Sequence, residues 1–120
     1  MIKKLKKYTG VLALSVVMTI GSLSNVMAAN YCAGSTIFQN NKTTVLGTTY
    51  CSYATSDHEL CVTFSAVRNS DGKVIKGGSS RSGVKTVQAS KSTNSTWRTA
   101  TGEHKVYYRG TLSWEHVSHA

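Results

Sequence analysis

His58, His104, His116 and His119 are the side chains of this 120-residue chain suited to take up a proton near neutral pH or to hold a transition metal. If the segment around Gly110 folds back on itself symmetrically, His104 and His116 stand opposite each other, flanked by Glu103 and Glu115, with His119 three residues further on. That would be a surface metal site. Cross-strand spacing alone is a weak sign of one, and no HExxH or CxxC pattern accompanies it, so the expectation is ordinary strand-end histidines with neither metal nor cofactor.

Hydrolysis has its candidates too. His58 lies between Asp57 and Glu59, and the chain is rich in serine, but no glycine frame of the nucleophile-elbow type surrounds any of those serines. A phosphate-cleaving site would need a carboxylate, a histidine and an arginine to converge, and Glu59, His58, Arg68 and Arg109 are of the right types. Their spacing gives no sign of convergence. No catalytic residue is therefore assigned, and the chain is expected not to be an enzyme.

Three cysteines, Cys32, Cys51 and Cys61, allow one disulfide and one leftover thiol. If Thr43 to Tyr53 pairs antiparallel with Glu59 to Arg68 through a short loop, Cys51 faces Cys61 at a separation that a disulfide accepts. Closing that loop of about ten residues would stabilise the fold by roughly 2.5 to 3 kcal/mol. Cys32–Cys51 and Cys32–Cys61 are the competing pairings. The leftover cysteine is either a buried free thiol or the handle for a disulfide-linked dimer.

The aromatic residues point to binding. Lys105, Tyr107 and Arg109 fall on the strand face opposite Val106 and Tyr108 and would form a solvent-facing basic aromatic strip. Trp97 and Trp114 read as core anchors. Asn41-Lys42-Thr43 and Asn94-Ser95-Thr96 match the glycosylation sequon, which matters only in a host that uses it.

The elements that must position these side chains follow from the rest of the chain. Residues 1 to 10 are basic, with Lys3, Lys4, Lys6 and Lys7; a mostly apolar run from 11 to 23 follows, then small side chains at Val26 and Ala28. This is the pattern of a secretory signal peptide cleaved after Ala28, with Ala29 as the second choice. The apolar run is 13 residues, short of the roughly 20 that span a bilayer. The formal charge of +9 for the whole chain then falls to +5 for residues 29–120, ten Lys plus Arg against five Asp plus Glu. A mild excess of this kind suits anionic cell-wall polymers or a membrane surface, and serves solubility equally well.

Thr, Ser, Val and Tyr dominate residues 29–120, and the apolar pattern has a period of two. Glu59 to Arg68 alternates Leu60, Val62, Phe64 and Ala66 against Cys61, Thr63, Ser65 and Val67. Asn69-Ser70-Asp71-Gly72 is a hairpin turn leading into a second strand from Lys73 to Lys76. Residues 77–83, which have no apolar side chain, read as a mobile connection, and residues 90–96 as a polar loop. Further strands are expected at 36–39, 43–53, 84–89 and from His104 onward, the last either bent at Gly110 or folded through a three-residue Arg109-Gly110-Thr111 loop. Six to eight short strands without a helical crossover predict an all-β domain: a small antiparallel two-sheet sandwich of immunoglobulin-like layout, with a small barrel as the alternative.

The function expected from this is a secreted, extracellular binding protein without chemistry of its own, acting on a protein or glycan at the cell surface. An anionic cell-wall polymer or membrane surface is a further partner, and no nucleic acid is expected. The competing reading is a small secreted cationic antimicrobial, bacteriocin-like or toxin-like, protein.

Overall fold

The structure, a computed structural model, describes residues 31–120; the expected signal peptide and its cleavage point lie outside the described residues. Seven strands follow one another in the described part: β1 (Cys32–Gln39), β2 (Thr44–Cys51), β3 (His58–Arg68), β4 (Val74–Ser82), β5 (Thr86–Ser92), β6 (Trp97–Tyr108) and β7 (Thr111–His119). They form two antiparallel sheets, β1-β2-β5 and β4-β3-β6-β7, so the domain is all-β. Consecutive hairpins stay within a sheet, whereas the β2–β3, β4–β5 and β5–β6 connections each change sheet.

The alternation in β3 sets the core. Leu60, Val62, Phe64 and Ala66 are all buried, and their odd-numbered neighbours face outward. Removal of a side chain such as Leu60 from water contributes about 1.5–3 kcal/mol. Two clusters fill the space between the sheets. One joins Leu60, Val62 and Val106 to Cys51, Ala54 and Val87. The other gathers Val45, Phe64, Ala66 and Ala100 around Trp97, whose indole N–H donates to the Thr43 carbonyl at 3.0 Å. The expected role of Trp97 as a core anchor holds; Trp114 is only partly buried against the first cluster.

Several local expectations are corrected. Residues 77–82 belong to β4 and are not a mobile connection. Gly77 stands opposite Phe64, and a Cβ there would meet the ring at 2.6 Å, so the aromatic ring occupies the room that a side chain on β4 would need. The polar composition fits a strand because β4 is an edge. Likewise β5 runs on to Ser92, where a loop was expected from residue 90.

The β6–β7 hairpin turns on two residues, Arg109 and Gly110, with φ of 49° and 83°. Tyr108 pairs with Thr111 and Tyr107 with Leu112; the register then shifts, and Val106 pairs with Trp114. The bulge at Ser113, whose hydroxyl donates to the Val106 carbonyl at 3.1 Å, restores the parity that a three-residue loop would have supplied. His104 consequently faces His116, as the symmetry about Gly110 predicts, but Leu112 turns to the outer face.

The favoured cysteine pairing is also overturned. β2 and β3 lie in different sheets, so Cys51 and Cys61 do not face each other across a ladder. Cys51 instead pairs with Cys32 of β1, Cα atoms 4.0 Å apart, and the two are bridged. Cys61 is free and half-buried on the outer face of β3.

Candidate functional site

Three places could carry function: the surroundings of His58, the surroundings of His104, and the outer face of the four-stranded sheet. The first two are closed. His58 begins β3 and is buried at the mouth of the β2–β3 turn. Its Nδ1 accepts from the Thr55 backbone N–H and from the Thr55 hydroxyl, both at 3.0 Å. Its ring packs edge-on to Tyr53 and against Tyr108. Neither adjoining carboxylate serves it: Asp57 pairs with Arg109 at 3.2 Å, and Glu59 leaves from the opposite face of the strand.

Arg68 sits at the far end of β3, ten residues and about 30 Å from His58 at the ordinary strand rise, bonded to Asp71. The Glu59, His58, Arg68 and Arg109 set is therefore not brought together. The Arg68 guanidinium, with the Lys73 amide, holds the Asp71 carboxyl down at about 2.

His104 is fully buried, and its hydrogen bonds can be followed in one direction. The Thr49 hydroxyl donates to the Cys61 carbonyl at 2.8 Å, so its oxygen is free to accept from His104 Nδ1–H at 2.9 Å. Nε2 must then accept, and it does so from the Ser118 hydroxyl at 2.7 Å; Ser118 in turn accepts from Thr36 at 2.7 Å. Four side chains from β1, β2, β6 and β7 form one chain of satisfied polar groups across the sandwich. Gly34 makes room for it, since a Cβ there would run into the His104 ring. Burial, with His116 nearby, holds the His104 pKa down at about 4, so the ring is neutral in ordinary buffers.

The metal arrangement is not assembled. Both ring nitrogens of His104 are engaged by hydroxyls, the exposed His116 lies over Trp114, and His119 leaves from the other face, where its Nδ1 meets the Thr101 hydroxyl at 3.3 Å. Among the described residues no group of three or more His, Cys, Asp or Glu side chains is placed to hold a metal ion.

The third place is open. The odd-numbered residues of β6 run Thr101, Glu103, Lys105 and Tyr107 along the outer face, beside Glu59, Cys61, Thr63 and Ser65 of β3. Gly78, opposite Thr63, leaves a gap in the outer-face side chains of β4, and a shallow groove of about 450 Å³ opens there over the Gly77–Gly78 backbone, walled by Thr63, Ser65, Lys76, Thr101 and Glu103. Lys105 and Tyr107 continue the line of the groove, both half-buried. Arg109 is at the hairpin tip, over the Tyr108 ring at 5.3 Å and paired with Asp57. Of the expected strip, Lys105 and Tyr107 thus share a face, and Arg109 belongs to the turn.

Charge on this face is balanced. Lys105 stands opposite Glu115 on one side and Cys61 on the other, with Glu103 and Tyr107 next along its own face. Burial and Glu59 push the Cys61 thiol up, against the pull of Lys105. The groove has no signal in the sequence because it depends on a glycine, Gly78, lying beside Thr63 of β3 in a segment whose polar composition reads as loop. Both sequon asparagines, Asn41 and Asn94, are exposed in turns. No family model, curated protein or solved structure matches this chain.

Proposed function

We propose that this chain is an exported, non-enzymatic binding protein that meets its partner, a glycan or protein at the cell surface, on the outer face of the four-stranded sheet. The observation that carries the reading is the open groove over Gly77 and Gly78, lined by hydroxyls and continued by Lys105 and Tyr107. Threonine and serine hydroxyls suit the polar rim of a sugar, and a tyrosine ring suits its apolar face.

Two further features support the context. The Cys32–Cys51 bridge fits an oxidising compartment, in keeping with a signal peptide cleaved after Ala28. The immunoglobulin-like layout is supported by the split into three and four strands, with β2–β5 and β3–β6 as pairings between strands distant in sequence. A dimer bridged through Cys61 would cover the same face, so reducing agent should then raise ligand binding.

The test is retention on whole cells and on a glycan array, comparing the parent with Tyr107→Ala and Lys105→Ala. Loss of at least tenfold in retention with an unchanged circular dichroism spectrum is expected. Equal retention by all three proteins removes the site, and turnover on nuclease or peptidase substrate panels removes the non-enzymatic reading. The cationic antimicrobial alternative draws on the net charge of +5 over residues 29–120. It predicts dye leakage from anionic vesicles that salt suppresses; binding without leakage is the outcome expected here.

A further inference from the structure

The β4–β5 side of the molecule, which adjoins the groove at Lys76, holds most of its unbalanced charge. From Gly72 to Gly102 the chain carries Lys73, Lys76, Arg81, Lys85, Lys91 and Arg98 and not one Asp or Glu. This stretch supplies β4 and β5, edge strands of different sheets, and Lys76, Arg81, Lys85 and Lys91 are all exposed. Arg81 is paired with buried Leu60, and Lys91 with buried Val45. Both side chains therefore start from the inward face of their strands, and, being exposed, they emerge along the side where the β4 and β5 edges lie. Lys76, opposite Ser65, leaves from the outer face.

One of these charges is held in place, and among the described residues none of the four is in an ion pair. Lys85 Nζ donates to the carbonyls of Ser52 and Ala54 at 2.9 and 3.1 Å, which holds its ammonium group in place. The ion pairs among the described residues are Arg68–Asp71 and Arg109–Asp57, and neither involves these four cations. Five residues separate Lys76 from Arg81, about 17 Å at the usual rise, so the positive groups are spread along an edge.

We infer that the β4–β5 side binds a linear polyanion carrying phosphate esters, the chemistry of an anionic cell-wall polymer. A row of cations matches a chain of regularly spaced anions. A bilayer would ask for apolar side chains to enter it, and of the exposed large hydrophobic residues only Val74 is on β4 or β5; Tyr108, Leu112 and Val117 are on β6 and β7. Single-stranded nucleic acid would ask for aromatic rings to stack on, and no Phe, Tyr or Trp occurs between Gly72 and Thr96.

Long-chain inorganic polyphosphate is the probe. Fluorescence anisotropy across a salt series should give a log–log slope of about −3, as neutralisation of four anionic groups implies. The Arg81→Glu/Lys91→Glu protein should bind at least tenfold more weakly with a slope shallower by about 1.5, while Tyr107→Ala binds like the parent. Arg81→Gln/Lys91→Gln serves the same purpose if the reversal fails to fold. Parent-like binding by the folded double variant overturns the inference. So does a salt-independent affinity, or tighter binding to phosphatidylglycerol vesicles or to a random single-stranded DNA than to polyphosphate at equal phosphate concentration.

Discussion

The sandwich has two sides where edge strands of different sheets come near each other, and they are built on opposite plans. On the β1–β7 side the sequence Tyr31 to Gln39 carries no charged residue, and Thr111 to His119 carries only Glu115 and two histidines. There the Thr36–Ser118–His104–Thr49 chain of hydrogen bonds ties β1 and β2 to β6 and β7 across the sheets, and the Cys32–Cys51 bridge ties β1 to β2. On the β4–β5 side Lys76, Arg81, Lys85 and Lys91 stand exposed. The comparison teaches a division of labour: stability is concentrated where polar side chains are buried and satisfied, and the free cations contribute little to it.

The largest expected effect tests the buried half of that contrast. His104→Ala would empty a fully buried ring site framed by Gly34 and strip partners from Thr49 and Ser118. A loss of about 3–5 kcal/mol in chemical denaturation is expected, the range for large buried rings cut to alanine. A loss below about 1 kcal/mol would mean that the relay does not hold the two sheets together. Removing the bridge comes next. Cys32→Ala/Cys51→Ala releases a loop with a sequence separation of 19, for which chain entropy gives about 3 kcal/mol. Cys61→Ser, which leaves that bridge intact, should cost far less in the same denaturation.

Acid sharpens the comparison further. His104 has its pKa lowered from 6.5 to about 4, so between those values the unfolded chain takes up a proton that the folded chain refuses. The associated stability is fully present above pH 6.5, declines as pH falls, and levels off below about pH 4, with a total of up to about 3 kcal/mol. Asp71 acts in a lower window: its carboxyl, held at about 2, gives stability that is lost as pH drops from 3.8 toward that value. Urea midpoints measured from pH 7 to pH 4 should fall for the parent and stay flatter for a folded His104→Asn protein.

How much of this was legible depended on range. The sequence order of apolar side chains is a local signal, and it located β3, its buried face and the Asn69–Gly72 turn. It also placed His104 opposite His116, because a bulge offset the shorter turn and the errors cancelled. Which sheet a strand joins is not local. The match of Cys51 with Cys61 rests on the tendency of strands adjacent in sequence to pair, whereas the chain changes sheet between β2 and β3. Gly77 to Ser82 read as a loop because its support comes from Phe64 and the rest of β3, not from its own residues. The relay at His104 needs four strands, and no spacing in the chain announces it.

The smallest expected effect bears on the cationic side. Arg81→Ala and Lys91→Ala remove exposed charges without ion-pair partners among the described residues, so each should change stability by no more than about 0.5 kcal/mol. A flat result in denaturation would not make these residues idle. An edge strand with free N–H and C=O groups is a template for another chain, and charge along it opposes that pairing. β4, with two adjacent glycines and serines at 79, 80 and 82, has little bulk to prevent it otherwise. Neutralising Arg81 and Lys91 together should therefore leave the unfolding midpoint near that of the parent while raising the weight-average mass in sedimentation as concentration increases. If instead stability fell by about 3 kcal/mol, on the scale expected for His104→Ala, the two sides would share one plan and the contrast between them would fail.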